Sequence, residues 1–179
     1  ADLNVQYGLG VGAMGRMNLA LTGTWVRELI TQPTPSVSSA YDCAGFYGST
    51  CAGQAALGNG PVPHWRHVFT ASWETPWMHL GVNLRWRYIG PTQDDGLSYN
   101  PNLSGDGYYT AADHISTYNY FDISADMPVT RQVTLTLGVN NIADKAPPLV
   151  PSGNFSACPT VGCNDNTWPG MYDTMGRYI

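Results

Sequence analysis

The chain has 179 residues, 12% of them charged and 12% aromatic, and a net charge of -5. That charge content is about half of what soluble globular domains carry, and a single lysine, Lys145, in an acidic chain excludes the basic footprint that nucleic acid or anionic headgroups require. No run of about 18 apolar residues occurs, which excludes a transmembrane helix but not a β-barrel, whose strands alternate lipid-facing and lumen-facing residues.

The first alternating stretch sets Leu3, Val5, Tyr7, Leu9 and Val11 against Asn4, Gln6, Gly8 and Gly10, the period of two expected of a strand with unlike faces. It runs into Gly10-Val11-Gly12-Ala13-Met14-Gly15, which has the glycine spacing of a dinucleotide-binding turn, with Glu28 near the expected acidic position. That chemistry needs a helix to begin at the glycines, so that its amides hold a pyrophosphate. Met17, Leu19, Leu21, Gly23 and Trp25 instead alternate with Asn18, Ala20, Thr22 and Thr24, so the glycines are expected to serve a tight turn between strands.

Beyond a long Gly- and Pro-rich segment, Phe69, Ala71 and Trp73 oppose Val68, Thr70 and Ser72. After a turn at Thr75 to Met78, Leu80, Val82, Leu84, Trp86 and Tyr88 oppose Gly81, Asn83, Arg85 and Arg87. A second long segment precedes Phe121, Ile123, Ala125 and Met127, which oppose Asp122, Ser124 and Asp126. Following Pro128 to Gln132, Val133, Leu135, Leu137 and Val139 oppose Thr134, Thr136, Gly138 and Asn140. The apolar register holds no charge, whereas the polar register carries Arg85, Arg87, Asp122 and Asp126. One face therefore meets a medium that penalises charge, and a sandwich core or lipid would both do so.

The connections separate those two media. They alternate short and long, the long ones running to about 25 to 35 residues, a length that compact soluble domains seldom leave without structure and that outer-membrane barrels carry routinely. Trp73 and Trp77 flank a short turn, while Trp25 and Trp86 lie about eight or nine residues further along their strands. At about 3.3 Å per residue and a tilt near 40° that is a rise of about 20 Å, close to a lipid-facing band between two aromatic girdles. An ordinary β-sandwich core also collects large aromatics.

The long segments carry the remaining candidates. Cys43 with Cys51 and Cys158 with Cys163 form two local pairs suited to disulfides in an oxidising compartment, and neither pair has the two-residue gap of a zinc knuckle. His64, His67, His79 and His114 share no metal-ligand spacing. Asp94, Asp95, Asp106 and Asp113 crowd one segment as a solvated acidic loop or a calcium site without EF-hand spacing. Tyr41, Phe46, Tyr47, Tyr99, Tyr108, Tyr109, Phe155 and Trp168 either stack on a ligand or pack the loops together. Tyr47, Tyr99, Tyr109 and Trp168, with the lumen-register Arg85 and Arg87, are the ligand-contact candidates. No Ser/His/Asp or paired-carboxylate spacing argues for an enzyme, and no cofactor or metal is expected.

Two segments of the last third resemble the end of TonB-dependent receptors. Leu135-Thr136-Leu137-Gly138-Val139-Asn140-Asn141-Ile142-Ala143-Asp144-Lys145-Ala146-Pro147-Pro148 resembles the penultimate strand and the start of the last external loop, and Tyr172-Asp173-Thr174-Met175-Gly176-Arg177-Tyr178-Ile179 resembles the opening of the closing strand. Trp86-Arg87-Tyr88-Ile89-Gly90 and Tyr118-Asn119-Tyr120-Phe121-Asp122 are also similar to that family. The resemblance implies an all-β fold: a partial antiparallel transmembrane barrel of about seven meander strands, the last cut short, with short periplasmic turns and long external loops. Residues 1–179 would be the C-terminal portion of the barrel domain, without the plug, in the bacterial outer membrane. The implied partners are outer-membrane lipid, the remaining strands and plug of the parent protein, the TonB complex and a scarce nutrient such as an iron chelate, vitamin or glycan fragment. A passive porin segment and a secreted β-sandwich carbohydrate-binding module are the alternatives.

Overall fold

A computed structural model describes residues 1–35, 39–48, 50–51, 60–104, 113–149, 167–168 and 170–179. Six long strands form one antiparallel sheet: β1 (Asp2–Gly10), β2 (Arg16–Trp25), β6 (Trp65–Glu74), β7 (Gly81–Ile89), β10 (Tyr118–Pro128) and β11 (Thr134–Val139), in that spatial order. Five short strands, β3 (Ile30–Thr31), β4 (Tyr41–Asp42), β5 (Phe46–Tyr47), β8 (Thr92–Asp94) and β9 (His114–Ile115), lie in the long connections. β3 pairs with β4, and β8 lies between β5 and β9. The fold is thus all-β and antiparallel in its main sheet, as expected. That sheet is open at β1 and β11 and forms no closed barrel among the described residues. Of the expected seventh strand, only one bridge forms, Asn140 with Tyr178.

Local chemistry explains where strands start and stop. Gly12 (φ 57°) and Gly15 (φ 99°) turn β1 into β2, and a side chain at Gly15 would place its Cβ 2.0 Å from the Glu74 carbonyl oxygen. The glycine-rich stretch therefore serves a turn, and β2 follows where a nucleotide site would need a helix. Pro128, which has no amide to donate, ends β10. β6 and β10 begin three residues earlier than their alternation announces, at Trp65 and Tyr118. The reason is that His67 enters the apolar register and Tyr118 and Tyr120 enter the polar one.

The register joins the apolar positions into rows crossing all six strands. One row runs Leu9, Met17, Trp73, Val82, Ala125, Leu137, and the next runs Tyr7, Leu19, Ala71, Leu84, Ile123, Val139. No second layer covers them among the described residues: Leu84 is 38% exposed, Ile123 41%, Leu135 47% and Leu137 63%. The buried core lies instead in the long connections at one end of the sheet. One cluster joins Tyr47, Ile89, Ile115, Tyr120, Trp168 and Tyr172; another joins Tyr41, Cys43, Cys51 and Leu103. The three short turns lie at the opposite end.

Candidate functional site

Alternation places Arg85, Arg87 and Asp122 on the face opposite the apolar rows, and antiparallel pairing sets Asp122 directly across from Arg85. Asp122 accepts from Arg85 Nε at 2.8 Å, from Arg87 Nε at 3.1 Å and from the Asn141 amide at 2.8 Å. The Arg87 guanidinium also donates to Asp173, at 2.8 Å through one nitrogen, and lies 5.0 Å from the centre of the Tyr120 ring. Two arginines and two carboxylates thus neutralise one another, and the ion pairs tie β7, β10 and the 170–173 segment into one unit.

That segment behaves as a strap. Tyr172 is buried and packs edge-on against Tyr118 with ring centres 5.0 Å apart, and Trp168 packs edge-on against Tyr47 at 5.6 Å between centres. The Met171 and Tyr172 amides donate to the Trp168 carbonyl, both at 2.9 Å. Burial raises the phenol pKa of Tyr47 and of Tyr172 above the usual range, and for Tyr47 the carboxylates of Asp94, Asp113 and Asp95 push the same way. Both rings remain neutral at physiological pH.

A second joint fastens the connection after β2. Cys43 and Cys51 form the expected disulfide, with Cα atoms 5.4 Å apart. Asp95 accepts from the Thr50 and Cys51 amides at 3.0 and 2.9 Å, so a carboxylate of the next connection holds this disulfide-closed loop. Gly48, at φ 142°, makes room: a Cβ there would lie 2.0 Å from Asp95 Oδ1. Asp94 caps its own turn through the Gly96 amide at 2.9 Å. These two carboxylates therefore serve loop structure, and no metal-binding group of His, Cys, Asp and Glu occurs among the described residues.

On the apolar face, aromatic clusters stand at both ends. Near the long connections, His67 stacks on Tyr88 at 5.0 Å and Trp86 on Phe121 at 6.0 Å, while Trp65 covers Gly23, where a Cβ would meet the indole at 2.3 Å. Near the turns, Trp73 and Trp77 meet at 6.1 Å, and the Trp73 indole donates to the Met14 carbonyl at 2.8 Å.

No known protein family, curated protein or solved structure matches the chain.

Of the ligand-contact candidates, Arg85 and Arg87 come together in the charge network, and Tyr47 and Trp168 come together inside the loop core, where they pack rather than face solvent. Tyr99 stands apart and fully exposed. Tyr109, with Tyr108, Phe155, Asp106 and the pair Cys158 and Cys163, lies outside the described residues. Sequence reasoning missed Asp173 as a partner of Arg87, Asn141 as a donor to Asp122 and Asp95 as the anchor of the disulfide loop. Asp173 had one signal, its place beside a tyrosine in the terminal motif. The other two depend on how the chain returns on itself, which periodicity does not encode.

Proposed function

We propose that this chain is wall and external loops of a bacterial outer-membrane barrel, in a transporter of the TonB-dependent receptor type that imports a scarce nutrient. The observation that carries this reading is the sorting of charge. All eight Asp, Glu and Arg residues of the six main strands, Asp2, Arg16, Arg66, Glu74, Arg85, Arg87, Asp122 and Asp126, fall in the polar register, while the opposite face holds none, is mostly apolar and is uncovered among the described residues. A sandwich module in water would need a second layer over Leu84, Leu135 and Leu137, whereas acyl chains supply that medium in a barrel wall. Aromatic clusters at both margins support this reading, since Trp and Tyr favour the two headgroup levels of a bilayer, as does the departure of all long connections from one end of the sheet. The transport assignment rests on the terminal motifs and on the charged, loop-capped polar face.

Nitroxide labels placed singly at Leu135, Thr136, Leu137 and Gly138 of the full chain, reconstituted in lipid, test the medium. Oxygen should reach labels at Leu135 and Leu137, and a soluble nickel chelate those at Thr136 and Gly138. A chain that is monodisperse in water without detergent, or labels without alternation, refutes the barrel. Uptake by cells carrying the parent protein should cease when the proton-motive force is collapsed; uptake that persists makes the barrel a passive porin.

A further inference from the structure

On the polar face, one large apolar side chain of the described strands stands exposed. Val68, 39% exposed, is the only large apolar residue of the main strands that stands exposed on that face among the described residues. It lies in a cavity of about 310 Å³ under the strap, lined by Thr22, Thr24, Arg66, Val68, Ile89 and Met171. The cavity therefore has an apolar floor from two strands and the strap, and hydroxyls along one wall. Its charge is as specific as its shape. Arg87 borders it too, but Asp122 and Asp173 already offset that guanidinium. Arg66 is exposed and makes no ion pair among the described residues. Across from it on β2, Thr24 donates to Asp2, one strand further on, at 2.9 Å.

An apolar floor beside one uncommitted guanidinium selects a molecule with an apolar body and one anionic group, since a buried ring gains from water exclusion while a carboxylate gains charge-assisted hydrogen bonds from arginine. We infer that this cavity is a binding subsite for a small amphiphilic carboxylate, its anionic group on Arg66 and its apolar body over Val68, Ile89 and Met171. The inference deepens the transport reading and rests on it in one respect, that the polar face is the aqueous one. Because the cavity lies where the long connections meet the wall, a molecule entering from the loop end reaches it first.

Equilibrium dialysis of 4-phenylbutyrate, 4-phenylbutanol and 4-phenylbutylamine against the lipid-reconstituted full chain tests the assignment, with empty lipid as the blank. The carboxylate should bind saturably and about tenfold tighter than the alcohol, the ratio that one charge-assisted contact supplies, and the amine weakest. Arg66→Gln should remove the preference for the carboxylate while leaving alcohol binding unchanged, and Val68→Asn should weaken acid and alcohol alike. Equal binding of acid and alcohol, a preference that survives Arg66→Gln, or no saturable binding overturns the subsite. If lipid and water exposure still alternate along β11 in that sample, the barrel reading stands and only the subsite falls.

Discussion

The bidentate contact between Arg87 and Asp173 should be the main fastening of the strap, and its strength can be worked from the geometry. The two side chains are 23% and 16% exposed, so the pair is neither a surface contact worth a few tenths of a kcal/mol nor a fully buried one. Two charge-assisted hydrogen bonds, discounted for partial solvent screening, give about 2 kcal/mol for Asp173→Asn, which keeps the shape and loses the charge. Arg87→Gln should cost more, about 3 to 4 kcal/mol, because Asp122 then keeps Arg85 as its only cation while remaining nearly buried. The double variant should be less destabilised than the sum of the single ones, by a coupling of about 1.5 kcal/mol. Urea unfolding of the detergent-folded chain measures the three values, and hydrogen exchange at the Met171 and Tyr172 amides reports the strap itself. A coupling below about 0.5 kcal/mol, or Asp173→Asn costing as much as Arg87→Gln, would refute this account of the strap.

Other consequences follow from the loop core and the sheet face. Replacing both Cys43 and Cys51 by serine opens an eight-residue separation and should lower the stability of the capped end by about 2.5 kcal/mol on the loop-entropy argument; circular dichroism of the sheet should be unchanged, and its loss would contradict a local role. Gly48→Ala forces a Cβ against the Asp95 carboxylate and a positive φ, so it should cost about 1 to 3 kcal/mol and speed exchange of the Thr50 and Cys51 amides; unchanged exchange would show that Asp95 holds nothing there. Tyr47 and Tyr172 bind their phenolic protons more tightly folded than unfolded, so their contribution is complete below the unfolded value of about 10 and is lost as pH rises through the higher folded values. Tyrosinate absorbance should therefore show a late step that coincides with loss of near-ultraviolet dichroism, and a single step complete while the dichroism persists would exclude that burial. Leu84→Arg should cost about 2 to 4 kcal/mol in lipid, and Thr70→Arg on the other face little; equal costs would mean that both faces meet the same medium.

Much of the sheet was legible because lipid and core alike impose a period of two, and the register alternating with Arg85 and Asp122 holds no Asp, Glu, Lys or Arg in the main strands. The blurred strand starts were those where a residue serves two purposes. His67 interrupts the apolar register because it stacks on Tyr88, and Tyr120 interrupts the polar register because it joins the loop core and carries Arg87 over its ring. Pairing partners were beyond reach for a different reason. Arg87 finds Asp173 86 residues away, a separation that periodicity does not bridge. Loop aromatics were likewise undecided, since Tyr47 and Tyr99 have the same side chain and opposite fates, one inside the core and the other fully exposed. Val68 shows the converse. One valine in a polar register is unremarkable in sequence, and becomes informative only when the register places it among Arg66, Ile89 and Met171.

The division of labour between the two ends has a consequence for how the chain holds together. A sheet whose apolar rows lack a protein layer, as these do among the described residues, gains little from burying them against itself, so in water its hydrogen-bonded strands have only cross-strand contacts and the polar-face ion pairs in their favour. The loop core is different: Tyr47, Tyr120, Trp168 and Tyr172 exclude water without any membrane, and the disulfide and Asp95 add fastenings that need none. The two should therefore part company when lipid is withdrawn. In detergent below its micellar concentration, exchange should accelerate along β11, whose Leu135 and Leu137 face outward, before it does at the Cys51 and Tyr172 amides. The opposite order, with the loops opening first and β11 protected, would mean that the sheet draws its stability from contacts within the protein, and the apolar rows would then need an occupant other than acyl chains.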